Sequence, residues 1–308
     1  MYQQIEEPIT ANSARVVANS QRSREGFSKQ VYAQLALLAA AILALYFPIL
    51  SYLATQWYSD ENYSHGFLVV PFSAYLIWRN REKLKTIDSR PTWVGALIIL
   101  LSIGILFVGQ IGADLFLSRV SLIGVIVGTI LFLSGRPLLK ETAFPIFFLL
   151  LMIPLPTFLY NQIVFPLQLM ASKLATSLLE FINVVPVLRE GNLLILPNYT
   201  LQVVEACSGI RSLTSLLALG LAYGYLIERS NIIRIVLVMS MVPVAIVSNA
   251  VRVMGTALLT NYFGIQMAEG FLHAFSGWVI FLVSMVLLIA IHGALVGTRK
   301  WMLARRSA

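Results

Sequence analysis

The stretch TWVGALIILLSIGILFVGQIGADLFLSRVSLIGVIVGTILFLS, residues 92–134, decides the fold class. It holds two apolar runs, 92–112 and 115–134, joined at Gly112-Ala113-Asp114. A helix rises about 1.5 Å per residue, so roughly twenty apolar residues cover the ~30 Å hydrocarbon core of a bilayer. Two such runs with a tight polar joint read as a pair of membrane helices. Further apolar runs lie at 31–53, 66–79, 142–160, 163–185, 208–227, 232–251 and 273–296. Pro145, Pro154 and Pro156 predict that the 142–160 run is kinked or broken at its end, because proline donates no backbone hydrogen bond.

Composition agrees. Of 308 residues 58% are hydrophobic and only 12% charged, with mean hydropathy +0.81. Soluble domains carry about 25% charged residues, so a soluble enzyme, a disordered chain and a disulfide scaffold are excluded. The single cysteine, Cys207, rules out an internal disulfide, and three histidines without an HExxH pattern give no metal site. No cofactor is implied. The net charge of +8 comes from short basic runs between apolar stretches, which is the orientation signal of a membrane protein and not a nucleic-acid surface.

The basic runs set the expected topology. Residues 1–30 are too long and polar for the leading part of a signal peptide and read as a cytoplasmic N-terminal tail. The stretches 79–90, 135–140, 228–234 and the basic C-terminal tail, 299–308, read as cytoplasmic too. The loops at 54–65, near 113, at 161–206 and at 252–272 then lie outside. This requires that 163–185, which carries Lys173 and Glu180, be re-entrant or interfacial. The expectation is an all-α polytopic membrane protein with about eight transmembrane helices, both termini inside, and one membrane domain over 31–298. Pro197-Asn198 between short β-prone runs predicts a small extracytoplasmic hairpin over 193–204, before the cysteine.

That topology brings three reactive residues to one face: Cys207 before the 208–227 helix, Arg252 at the outer end of 232–251, and His273 opening the last helix. Each has an ordinary alternative, as an inert buried thiol, a snorkelling arginine and an interfacial histidine. Against these, Glu205-Ala206-Cys207-Ser208-Gly209 is a small, polar helix start, where the thiolate is favoured. Asn249 adds a polar group one turn before Arg252 inside an apolar span, a functional signal by default. His65, in Tyr63-Ser64-His65-Gly66, is expected on the same side. His292, deep in the last span without a visible partner, reads as structural.

Glu205-Ala206-Cys207-Ser208-Gly209-Ile210-Arg211-Ser212, then Pro243 through Asn249-Ala250-Val251-Arg252, then His273-Ala274-Phe275-Ser276-Gly277 closely resemble the exosortase/archaeosortase family. Trp57, Tyr63-Ser64-His65-Gly66, Pro71 and Pro154-Leu155-Pro156 extend the resemblance over nearly the whole chain, to a compact bacterial form, the B subtype, without an added C-terminal soluble domain. The resemblance implies a cysteine transpeptidase of the bacterial inner membrane. Its partners would be membrane-anchored substrate proteins whose C-terminal sorting signal joins a Pro-Glu-Pro-like motif, a transmembrane helix and a basic tail, together with an acceptor. It makes Cys207 the nucleophile, Arg252 the charge stabiliser and His273 the acid/base, with Glu205, Ser208, Gly209, Asn249 and His65 in support. The hairpin edge would suit an extended substrate strand, or the hairpin would simply cap the site.

One rival belongs to another class and one is a second enzyme. Broken helices and intramembrane charges also suit a transporter or channel, but there is no paired repeat and the polar residues gather at one face. A rhomboid-like serine protease would use Ser208 or Ser276 with a histidine.

Overall fold

The computed structural model describes residues 29–203, 209–264 and 271–306. The elements run α1 (Lys29–Ser59), α2 (Gly66–Arg79), α3 (Arg81–Lys85), α4 (Val94–Ile111), α5 (Leu115–Leu133), α6 (Arg136–Leu149), a 3-10 turn (Leu150–Met152) and α7 (Thr157–Ile182). Strands β1 (Leu188–Glu190), β2 (Leu193–Ile195) and β3 (Thr200–Gln202) follow, then α8 (Ile210–Ile227), α9 (Asn231–Phe263) and α10 (Phe271–Arg306). The chain divides into two compact units, Met1–Tyr52 and Leu53–Ala308. In the first, the described residues form the bulk of α1, with Pro48 inside the helix.

The second unit is all-α apart from the small sheet, as expected of a polytopic membrane protein. Six described helices are long and apolar enough to cross a bilayer, seven if the bent pair Arg136–Met152 and Thr157–Ile182 counts as one span. Eight is not reached on length and composition. The shortfall lies at α2, whose 14 residues rise only about 21 Å against a core of ~30 Å. Prolines explain the bent pair: Pro154 and Pro156 end the helical ladder, and the axis turns by 81°.

The α4–α5 hairpin packs through small residues. A methyl group built on Gly95 would sit 2.2 Å from the Phe132 backbone nitrogen, and one on Gly124 2.2 Å from Ser102 Oγ. Only glycine permits this approach, the usual way membrane helices gain close packing. Asp114 caps α5, its Oδ1 accepting from the Phe116 and Leu117 backbone N–H groups at 2.8 and 3.0 Å.

Contacts sort the second unit into two ends. At the basic end, Lys83 pairs with Glu141 at 2.6 Å, the Arg90 N–H donates to the Ser134 carbonyl at 2.9 Å, and Phe144 stacks on Tyr225 with centroids 3.7 Å apart. At the opposite end, Arg119 bonds Gln56, Trp57 bonds Met152 and Arg211 pairs with Glu61. Helices α2, α6 and α8 each run from one end to the other.

Helix α7 starts at the opposite end, where Tyr160 lies against Tyr63 with ring centroids 6.2 Å apart. It then runs away from the basic end: Ala171, Ala175 and Leu179 share a core with Val253 and Ala257 of α9 and with Val185, Leu194, Leu196 and Val203. The second core, nearer the middle, joins Tyr160 and Val164 to Leu213, Leu216, Leu237, Met241 and Leu288.

The hairpin expected over 193–204 is present, extended by a third strand. The sheet is antiparallel in the order β1-β2-β3, with Arg189 opposite Leu194 and Leu194 opposite Leu201. Leu194 is wholly buried and pins the sheet to the helices. Two further expectations are corrected. The 232–251 helix does not stop at Val251; α9 continues to Phe263, because Val253, Ala257 and Thr260 are buried and packing carries the helix onward. The 273–296 helix continues through the basic residues to Arg306, so 299–306 is helical.

Candidate active site

The 60–65 loop is locked to the broken helix. Trp57 Nε1 donates to the Met152 carbonyl at 3.0 Å, and the indole packs against Gly66, where any Cβ would fall 2.4 Å from Nε1. His65 Nε2 is 3.1 Å from the Leu151 carbonyl and therefore carries the proton. Its Nδ1 is buried without a hydrogen bond. Burial holds the imidazole below its ordinary value, partly offset by the backbone of Leu151 and Asn62. His65 is thus a neutral ring that fixes the loop. The loop in turn grips α8: Arg211 Nη1 pairs with the Glu61 carboxylate, and Nε donates to Asn62 Oδ1 at 3.4 Å.

The stretches bearing the expected reactive residues meet on α9. Gly209, the N-cap of α8, has φ +83° and ψ 3°, a left-handed conformation that favours glycine. A methyl group on it would lie 2.8 Å from Asn249 Cγ, so the α8 start rests directly on Asn249, which is 2% exposed. Three residues on, the half-buried Arg252 reaches α10, its Nη1 3.6 Å from where a methyl would stand on Gly277. His273 sits one helical turn before Gly277, in the first turn of α10. A small cleft lined by Leu167, Gly209, Leu213, Ala245 and Ile246 adjoins the Gly209–Asn249 contact.

Gly209, Asn249, Arg252 and the start of α10 are therefore neighbours. Glu205, Cys207 and Ser208 lie outside the described residues, Cys207 two positions before Gly209. Arg252 was expected at a helix end. It instead stands within α9, which has eleven more residues to run.

The sequence profile of transmembrane exosortases matches residues 57–290. The chain belongs to the transmembrane exosortase family. This supports a membrane transpeptidase with a role in protein sorting, seated in the bilayer and acting on secreted proteins that carry sorting signals. No curated protein and no solved structure matches the chain.

Two polar sites of this exosortase escaped the sequence reading. His292 is not partnerless: Tyr223 Oη lies 3.0 Å from its Nδ1, and Glu228 Oε2 lies 3.4 Å from its Nε2. Glu228 Oε1 also accepts from the Arg229 and Ser230 backbone N–H groups at 2.8 Å, and Arg299 Nη1 lies 3.8 Å away. Its carboxyl is held below the usual range, chiefly by the Ser230 N–H. This cluster ties α8, the α8–α9 turn and α10 at the basic end. The second site is Arg119, 3% exposed within α5, which donates to Gln56. Its signal was present as a charge inside an apolar run. The Glu228–His292 pair gave none, being 64 residues apart.

Proposed function

We propose that the protein is a cysteine transpeptidase that cleaves the C-terminal sorting signals of exported, membrane-anchored proteins at a Pro-Glu-Pro-like motif through a thioester acyl-enzyme. The observation that carries this reading is the meeting of Gly209, Asn249, Arg252 and Gly277, which brings the three motif stretches to one level of the molecule. In this reading the Cys207 thiolate attacks the scissile carbonyl. The tetrahedral oxyanion is held by Arg252, whose guanidinium stays charged and serves as donor, never as base. His273 gives its proton to the leaving amine as the C–N bond breaks, leaving an acyl thioester on Sγ. It then takes a proton from the incoming nucleophile, an acceptor amine or water, and the thiolate departs. Asn249 supports the α8 start, and His65 with Glu61 and Arg211 holds the adjoining loop.

Lys83, Arg90, Arg234 and Arg299 lie at the end away from these motifs, which favours a bacterial inner-membrane enzyme with its site on the extracytoplasmic face and both termini cytoplasmic. The membrane domain is 31–298, between a cytoplasmic N-terminal tail, 1–30, and a basic cytoplasmic C-terminal segment, 299–308. The test is mass spectrometry of a co-expressed tagged signal protein. Wild type is expected to yield a product cut at the motif, free or joined to an acceptor, and Cys207→Ala none. Unchanged processing by Cys207→Ala rejects the nucleophile, and a transporter becomes the better reading.

A further inference from the structure

The β-meander has a polarity that follows from its register. The Leu196 N–H donates to the Tyr199 carbonyl at 2.8 Å, and the Val203 N–H to the Asn192 carbonyl at 2.9 Å. Hydrogen-bonded pairs alternate along an antiparallel ladder. Leu201 therefore bonds β2 as well, while Thr200 and Gln202 turn their backbone N–H and C=O groups away from it. Both residues are exposed, whereas Leu201 and Val203 face inward. Among the described residues, none bonds the outward backbone groups of Thr200 and Gln202. Strands β1 and β3 are the two edges of the sheet; α7 packs against β1 and β2, and the outward backbone groups of β3 face away from β2.

This edge is anchored and aimed. Leu194, Leu196 and Val203 pack on Val253 and Ala257 of α9, just past Arg252. Tyr199 Oη lies 3.7 Å from where a methyl would stand on Gly264, at the far end of α9, and Gly209 touches Asn249. Tyr199 thus stands beside the far end of α9 and Gly209 beside Asn249, with the Arg252 level between them along the helix. Gln202 is five residues before Cys207, at most about 18 Å of extended chain.

We infer that the outer edge of β3 binds the extended part of the substrate's sorting signal as an added strand, held by the backbone groups of Thr200 and Gln202 and led to Cys207. The inference rests on the sorting-signal reading above. The occupant must be extended, must lie just outside a transmembrane helix, and must enter the site from the outer side. A segment containing proline fits an edge, since its missing N–H can face away from the ladder. Main-chain bonds of this kind give affinity with little demand on side chains.

The experiment uses the full-length Cys207→Ala protein in detergent with a synthetic signal peptide bearing a photo-crosslinker at successive positions, so that capture is read without chemistry. Crosslinks to residues 199–203 that rise and fall with period two along the peptide are expected. On the same background, Gln202→Pro removes an outward N–H and leaves the β2–β3 ladder intact, and capture should fall roughly 5- to 30-fold, the loss of about one backbone hydrogen bond. Gln202→Ala and Thr200→Val keep the backbone and should capture within about twofold of the parent. The inference is overturned if no crosslink falls on 199–203, if the proline variant captures normally, or if Gln202→Ala loses as much as Gln202→Pro. Crosslink mapping does not depend on any β3 variant folding. Processing by Cys207→Ala in cells would sink the nucleophile assignment and leave the edge result untouched.

Discussion

At the scale of single residues, Gly209 bears the heaviest constraint. It combines a left-handed backbone with a contact that leaves no room for a Cβ. Gly209→Ala should cost about 1–3 kcal/mol through strain and displacement of Asn249. A lowered melting temperature and lost signal processing at matched membrane levels would be the readout, and wild-type values in both would refute the contact. Arg252 separates charge from fork geometry. Arg252→Lys keeps the charge but loses the planar donors, so processing should drop by roughly 10²–10³-fold if the guanidinium holds an oxyanion. A snorkelling arginine would tolerate lysine almost silently. Cys207, Arg252 and His273 were legible as candidates because a thiol, a guanidinium and an imidazole stand out against apolar neighbours. The contacts around Gly209 and Arg252 were not. Nothing in a linear string says that Asn249 lies under Gly209, or that Gly277 opens space beside Arg252.

Elements were legible where one physical signal dominates. The α4–α5 pair is two apolar runs and an Asp114 cap, and it folds as read. Helix α9 was cut short because its continuation, Arg252 through Phe263, mixes Arg252, Thr256 and Asn261 with apolar residues, and hydropathy sees only the bilayer-length part. Strand β1 carries Arg189 and Glu190 and was hidden as a loop. The clasp at the basic end gives a prediction about pH. The carboxyl of Glu228 is held below its ordinary value by the Ser230 and Arg229 N–H groups and by His292. A depressed carboxyl stabilises the folded state fully above the unfolded value, near 4.3, and that contribution is lost as pH falls through the lower folded value. The melting temperature of wild type should therefore decline on acidification below about pH 4. Glu228→Gln should be less stable at neutral pH and should lack that part of the decline. Parallel acid profiles for the two proteins would show that Glu228 adds nothing.

At the scale of the molecule, the two ends defined by contacts predict sidedness. A reporter fused after residue 206 should read as extracytoplasmic and one fused after Arg234 as cytoplasmic. A cytoplasmic signal from the first would mean that the bent pair returns the chain across the bilayer, and the site would have to be placed on the other face. The membrane class was readable from charge and hydropathy alone. The count of spans was not, because α2 is too short for a length criterion and the α6–α7 pair bends by 81° at its break. Helix α9 also has a bearing on how such a sequence can vary. It holds Asn249 for one motif and Arg252 for another on a single rod, so the two are phased by rotation about its axis. One alanine inserted between them would swing Arg252 by about 100° and raise it by about 1.5 Å, away from Gly277, with composition and hydropathy almost unchanged. The three residues from Asn249 to Arg252 are thus a fixed gauge that admits no insertion or deletion, and the enzyme's tolerance to length change has to be found elsewhere in the chain.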